Sequence, residues 1–298
     1  MRLSFALVLL VPSLAAAQIT AEQKKETARW VLSLEVPGGG FSAAPQDPSA
    51  GAAPRPSLRA TSSAVRALKY LGADVPNTDK HAAFVLTCYD PKTGAFAEPG
   101  GKPDVTITSI GVMAAVEVGV PKEKFAKAMD YLKEHAKTFE EVRIAAAAVE
   151  AWGVKDCPFK LDDWFAVGMK YGDGTASSPQ DGGARDTGSL AALFLRLGRD
   201  LPPNNVKSIF ADGQRADGGW GKQGAKASDI ETTYRVMRAL MLLKEPPKDA
   251  KKLREFIAAH RNKDGGYATA PGDKSSIGGV YYSVVVSKWL DGMEGAKK

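Results

Sequence analysis

Apolar residues recur along this chain in two patterns that alternate. In the first they mark one face only: within Lys122–Ala136 the stripe is Phe125, Ala128, Met129, Leu132 and Ala136, with lysines and glutamates on the remaining positions. That spacing predicts an amphipathic helix lying on a surface. The same stripe returns as Ala28, Val31 and Leu32, as Val206, Ile209 and Phe210, and as Leu253, Phe256 and Ile257. In the second pattern the apolar character runs nearly all round the helix, which predicts burial on most faces. These runs are Ser57–Leu71, Val105–Val118, Asp186–Leu197, Asp229–Leu243 and Val280–Leu290, with a sixth at Glu140–Trp152. Several close on glycine, at Gly72, Gly119, Gly153 and Gly198, the residue best able to end a helix in the left-handed region. The intervals between those glycines, 47, 34 and 45 residues, fall in the range of helical repeats.

Between the two kinds of helix lie glycine-rich loops that end on an aromatic: Gly38-Gly39-Gly40-Phe41, Thr93-Gly94-Ala95-Phe96, Asp217-Gly218-Gly219-Trp220 and Asp264-Gly265-Gly266-Tyr267. Six amphipathic helices alternating with six buried ones predict an all-α closed ring. The buried helices form the inner circle and the amphipathic ones pack their stripes onto it from outside, an α6/α6 toroid. An open solenoid would need a polar concave face, which these inner helices lack. The whole of residues 18–298 is read as one such domain of about six repeats.

Residues 1–17 carry a different signal. Arg2, the apolar run from Phe5 to Leu14 and the small residues Ala15-Ala16-Ala17 have the order of a signal peptide, so export to the periplasm or exterior is expected. No other stretch approaches the ~20 apolar residues of a transmembrane anchor. The 40 Lys+Arg against 34 Asp+Glu are scattered rather than massed, which argues against nucleic acid as a partner. Cys88 and Cys157 stand far apart and are read as two thiols, small core residues rather than a bridge.

The loop residues also carry a family resemblance. Gln214-Arg215-Ala216-Asp217-Gly218-Gly219-Trp220 resembles the QW motif of squalene and terpene cyclases. Gly265, Gly266 and Tyr267, leading to Pro271-Gly272-Asp273, resemble the repeats of protein prenyltransferase β subunits, as does Gly94-Ala95-Phe96 leading to Pro99-Gly100 and Pro103-Asp104. The chain is thus similar to the prenyltransferase/squalene oxidase repeat proteins, including the β subunit of type II geranylgeranyl transferase. The resemblance implies the toroid and gives Gln214 and Trp220 the structural task of tying one repeat to the next.

It does not bring the family's chemistry with it. Class II cyclases protonate an alkene with an Asp-x-Asp-Asp acid; the nearest string here, Lys160-Leu161-Asp162-Asp163, places lysine first and opens an outer helix, where acids complement the dipole. The Asp-rich, Mg²⁺-binding helix of class I cyclases is also missing. Protein prenyltransferases hold Zn²⁺ with Asp, Cys and His. At the matching positions this chain keeps Asp229, puts Glu231 in place of the cysteine, and has Val280 or Tyr281 near the expected histidine. His81, His135 and His260 fall on or near outer helices and are expected at the surface or half-buried. Neither a metal set nor a cofactor is therefore predicted.

What remains is a set of acids and hydroxyls where loops enter inner helices: Ser57, Asp104, Asp186 and Asp229. Each can be a helix N-cap. Their repeat-related positions also place them at one mouth of the ring, where Asp229 and Glu231 can bind a cation or serve as an acid and base pair. Glu231, Arg59, Arg143 and Tyr281 have no capping task and are the stronger candidates for a binding site. Three functions follow as expectations. The first is a non-catalytic toroid holding an apolar small molecule, lipid, peptide or partner protein in its cavity. The second is a divergent prenyltransferase-like or cyclase-like enzyme. The third is a glycan lyase or hydrolase with Asp229 and Glu231 as acids beside Trp220 and Tyr281.

Overall fold

A computed structural model describes residues 18–45, 53–174, 183–201 and 205–295; the signal-peptide reading falls on residues outside these. Among the described residues there are twelve α-helices: α1 (Ala21–Leu32), α2 (Leu58–Leu71), α3 (Thr78–Thr87), α4 (Val105–Glu117), α5 (Lys127–His135), α6 (Phe139–Trp152), α7 (Asp162–Gly174), α8 (Gly183–Arg196), α9 (Val206–Gly213), α10 (Ile230–Leu243), α11 (Ala250–Ala259) and α12 (Ile277–Gly295). The even-numbered helices pack in order from α2 to α12, and α12 returns onto α2. The inner ring is closed. Odd-numbered helices lie against it from outside, α1 on α2, α3 and α5 on α4, α7 on α6 and α8, α9 on α8, and α11 on α12. The fold is the all-α toroid that the alternation of stripes predicts. No helix among the described residues is long and apolar enough to cross a membrane.

The inner helices are largely apolar because they touch neighbours on both sides and an outer helix behind, while α2, α6 and α10 turn charged residues toward the centre of the ring. On α4, Ile107, Ile110, Val112, Met113, Ala114 and Ala115 are all buried. Their N-termini are capped by the side chains of Ser57, Asp104, Thr138 and Asp229. Gly72 closes α2 in the left-handed conformation at φ 73°.

The glycine loops hold the repeats together in a way that recurs. Gly39 (φ 98°) and Gly218 (φ 92°) lie so close to the first turn of the next outer helix that a Cβ would sit 2.3 Å from the Lys80 carbonyl oxygen and 2.4 Å from that of Lys252. Gly94 and Gly265 make the equivalent approach to α5 and α1. The backbone N–H of the aromatic then donates to a threonine on the inner helix, Phe41 to Thr61 at 3.0 Å, Phe96 to Thr108 at 3.1 Å and Trp220 to Thr233 at 3.0 Å. In the QW segment, Gln214 Oε1 accepts from the Asp249 N–H at 2.8 Å and its Nε2 donates to the Asp249 carbonyl at 3.0 Å, while Trp220 Nε1 donates to the Phe210 carbonyl at 2.9 Å. The outer circle closes where Trp30 Nε1 donates to Asp264 Oδ2 at 3.1 Å and Thr27 Oγ1 to the Gly265 carbonyl at 2.8 Å.

Several expectations are corrected. The stripe at Lys122–Ala136 is split into a 3₁₀ turn, Lys122–Lys124, and α5, because Phe125 leaves the helical region at φ −136° and ψ 24°. Helix α8 begins at Gly183, so Asp186 lies in its first turn and not at its cap. Helix α12 starts at Ile277 and runs on to Gly295. His81 and His260 are fully buried: His81 Nδ1 accepts the Gly40 N–H at 2.9 Å, and His260 Nδ1 lies 2.8 Å from the Phe256 carbonyl. Burial pushes both imidazoles toward the neutral form. Cys88 and Cys157 are free thiols, the first buried and the second half-buried.

Candidate functional site

The second residues of five inner helices, Arg59, Thr106, Glu140, Glu231 and Gly278, all line one cavity of about 580 Å³. Five N-termini therefore meet at its mouth. With a rise of about 1.5 Å per residue, side chains seven residues further along lie roughly 10 Å deeper. There the lining is Arg66 from α2, Met113 from α4 and Ala147 from α6, with Arg196 reaching in from the C-terminal end of α8. The level between is built by Arg143 and Ile144, by Tyr234 and Arg235, and by Tyr281 and Tyr282.

Of the residues singled out in the sequence, Arg59, Arg143, Glu231 and Tyr281 line this cavity. The three aspartates do not. Asp104 Oδ1 accepts the Ile107 N–H at 2.7 Å. Asp229 accepts from both the Thr232 N–H and the Thr232 hydroxyl, each at 2.8 Å. Asp186 pairs with Arg185 at 3.6 Å. Trp220, considered as a platform for sugar rings, is fully buried in its repeat loop. Sequence reading passed over Arg66, Glu140, Arg196, Tyr234, Arg235 and Tyr282. A signal for part of this set exists: Glu231, Tyr234 and Arg235 follow one another at helical spacing on a largely apolar helix, and Arg59 and Arg66 are separated by two turns.

Charge in the upper cavity is organised around Arg235, which bridges α10 to α6. Its Nη2 lies 2.8 Å from Glu231 Oε1 and its Nη1 3.3 Å from Glu140 Oε1. Arg143 holds the other oxygen of Glu140, at 2.8 and 3.0 Å. Burial would push both carboxyls up, but the arginines outweigh it and hold Glu140 and Glu231 below the usual carboxylate range. Lower down, the Tyr234 and Tyr281 hydroxyls are 3.3 Å apart, with the Arg66 guanidinium 5.1 Å from the centre of the Tyr281 ring. Burial pushes Tyr281 up. The same burial acts on Tyr234, yet Arg196, Arg66 and Arg238 overcome it and hold that phenol below its ordinary value. Ile110, Met113, Ile144 and Ala147 make one wall of the cavity apolar.

The model of the prenyltransferase alpha-alpha toroid domain family matches residues 3–152 and 185–297. The chain belongs to this family. Solved toroids of similar fold include a wild-type glycosidase (TM-score 0.60, 15% identity, covering 92% of this chain and 96% of that one) and a variant of it in complex with glucose (TM-score 0.59, 16% identity, with the same shares of each chain). The type II terpene cyclase MstE from Scytonema is another (TM-score 0.58, 12% identity, 92% and 99%). Identities this low speak for the fold alone. No curated protein matches the chain.

As a prenyltransferase-type toroid the chain raises the question of zinc, and the residues at the family's positions do not fit it. Asp229 spends its carboxylate on capping α10, Glu231 is paired with Arg235, and Tyr281 is buried against Tyr234 where the imidazole would stand. Among the described residues no three His, Cys, Asp or Glu side chains are grouped as a metal site.

Proposed function

We propose that this toroid is an exported binding protein whose cavity takes a hydroxylated, ring-bearing ligand of the carbohydrate type. The observation that carries this reading is the pair Glu140 and Glu231, held ionised across the cavity by Arg235 and Arg143 beside Tyr234, Tyr281 and Tyr282. Ionised carboxylates accept hydrogen bonds from sugar hydroxyls, guanidiniums and the hydroxyls of Ser62, Ser63 and Ser276 donate to ring and hydroxyl oxygens, and tyrosine faces receive the apolar side of a pyranose. A glycosidase variant of similar fold has been solved with glucose, which supports the same ligand class.

Catalysis of glycan hydrolysis asks one carboxyl to stay protonated as the general acid. Here both are drawn toward the ionised form, which favours binding over turnover. Isoprenoid cyclisation is disfavoured on charge: five guanidiniums line the cavity against three glutamates, and positive charge raises the energy of a carbocation in a site of low dielectric. A second reading, an apolar or lipid ligand, has the wall of Ile110, Met113, Ile144 and Ala147 in its favour.

Titration calorimetry with glucose oligomers and with farnesol separates the two. The carbohydrate reading expects saturable oligosaccharide binding that weakens at least tenfold in Glu231→Gln, about 1.4 kcal/mol, with the fold retained. Farnesol binding with no response to any oligosaccharide would replace this reading by the apolar one.

A further inference from the structure

Arg196 is the least explained charged group of the cavity. Its side chain is only 7% exposed and lines the cavity, yet its Nε makes no hydrogen bond. That Nε has only a longer ion-pair contact, 3.4 Å to Glu150 Oε2, while Arg238 engages the other oxygen of the same carboxylate more closely. Arg66 is in a similar position: its Nε is 3.8 Å from Glu117 Oε1, and Lys69 holds the other oxygen of that glutamate at 2.6 Å. Its Nη1 donates to the Met113 sulfur at 3.6 Å, a weak acceptor. Two guanidiniums thus stand at the deep end of one cavity, each with only a long contact to a carboxylate it shares with a second cation. A buried guanidinium lacking acceptors is costly, and a planar anion that takes two parallel N–H bonds removes that cost.

We propose that the deep end of the cavity, where Arg66 and Arg196 converge beside the hydroxyls of Tyr234 and Tyr281, is a carboxylate-binding subsite, so that the ligand this toroid takes is an acidic sugar. The inference rests on the carbohydrate reading above and narrows it. Geometry supports a sugar acid over an isolated anion. The subsite lies roughly 10 Å, about two helical turns, below Glu140 and Glu231, so a ring anchored by its carboxylate at the bottom presents its hydroxyls upward to the tyrosines and then to the glutamates. Around Tyr234 cations outnumber anions: Arg66 from α2, Arg196 from α8 and Arg238 from its own helix are cationic, Glu150 from α6 is the carboxylate paired with Arg196 and Arg238, and Tyr281, Tyr282 and Trp289 from α12 are neutral aromatics. The three guanidiniums hold the phenol below its ordinary value, in keeping with a site that suits an anion.

That phenol also supplies the test. Tyrosine ionisation of the full-length protein is followed by ultraviolet absorbance with sodium glucuronate, glucose or inorganic phosphate present, and Tyr234→Phe identifies which transition belongs to Tyr234. Binding of a carboxylate offsets the guanidiniums, so glucuronate is expected to move this transition to higher pH while glucose leaves it in place. Calorimetry is expected to give glucuronate at least a tenfold advantage over glucose, reduced in Arg196→Gln and partly restored in Arg196→Lys. Arg238 continues to balance Glu150 in both variants, and the wild-type titration needs no variant of Arg196 at all. Equal affinity for glucuronate and glucose would overturn the subsite and leave the carbohydrate reading standing. A response to phosphate but not to glucuronate would overturn the carboxylate assignment, and failure of both sugars to bind would overturn the subsite together with the reading on which it rests.

Discussion

Asp229 and Glu231 stand two residues apart at the start of the same helix, and their surroundings give them different work. Asp229 accepts two hydrogen bonds from Thr232, a cap that asparagine reproduces in part because it too accepts the backbone N–H. Asp229→Ala is expected to lower stability by about 1–2 kcal/mol and Asp229→Asn by well under half of that, measured by urea unfolding. Equal losses in the two variants would mean that the negative charge, and not the cap, is what the fold uses. Glu231 points the other way, into the cavity and onto Arg235. The distinction was legible in the sequence, since Glu231, Arg59, Arg143 and Tyr281 had no capping task and all four line the cavity. Arg196 was not, because it lies at the far end of a helix whose apolar majority reads as core, and Arg66 and Tyr234 were legible only through their helical spacing from Arg59 and Glu231. A polar residue on a buried helix gives no sign in one dimension of whether it meets a neighbour or a void.

At the scale of the element, the threonine that receives the aromatic's N–H recurs as Thr61, Thr108 and Thr233, each four residues beyond the helix cap. The same hydroxyls are buried, so replacing one by an isosteric apolar group strands a backbone N–H without water to take its place. Thr108→Val is expected to cost about 1–3 kcal/mol, seen as a shifted midpoint at unchanged slope in urea unfolding. A midpoint within error of the parent would show that the loop relaxes and finds another acceptor. The existence and order of helices were readable from periodicity because each helix buries a single stripe or nearly all of its surface. Their ends were less so. The start of α5 depends on Phe125 leaving the helical region after the 3₁₀ turn that Pro121 introduces, and the extra turn at the head of α12 rests on the Ile277 N–H reaching the Ala43 carbonyl, a contact between the last repeat and the first where the ring closes.

For the whole molecule the consequence of closure is that inner helices that are not neighbours in the ring feel one another through the cavity. Glu140 on α6 and Glu231 on α10 are joined through Arg235 although α8 lies between their helices. Both carboxyls have folded-state values held below the unfolded ones, first opposed by burial and then outweighed by Arg143 and Arg235. A depressed carboxyl contributes stability that is fully present above the unfolded value, about 4.3 for glutamate, and that is lost as pH falls through the lower folded value. Both groups keep partial contact with solvent, so the contribution is modest after screening. The melting temperature is therefore expected to fall between about pH 5 and pH 3 more steeply in the parent than in the double variant Glu140→Gln, Glu231→Gln. Carboxylates elsewhere titrate equally in both proteins, so the difference between the two curves isolates the bridge. Parallel curves would mean that Arg235 gains nothing from its two partners in the folded ring, and that α6 and α10 are held in place by packing alone.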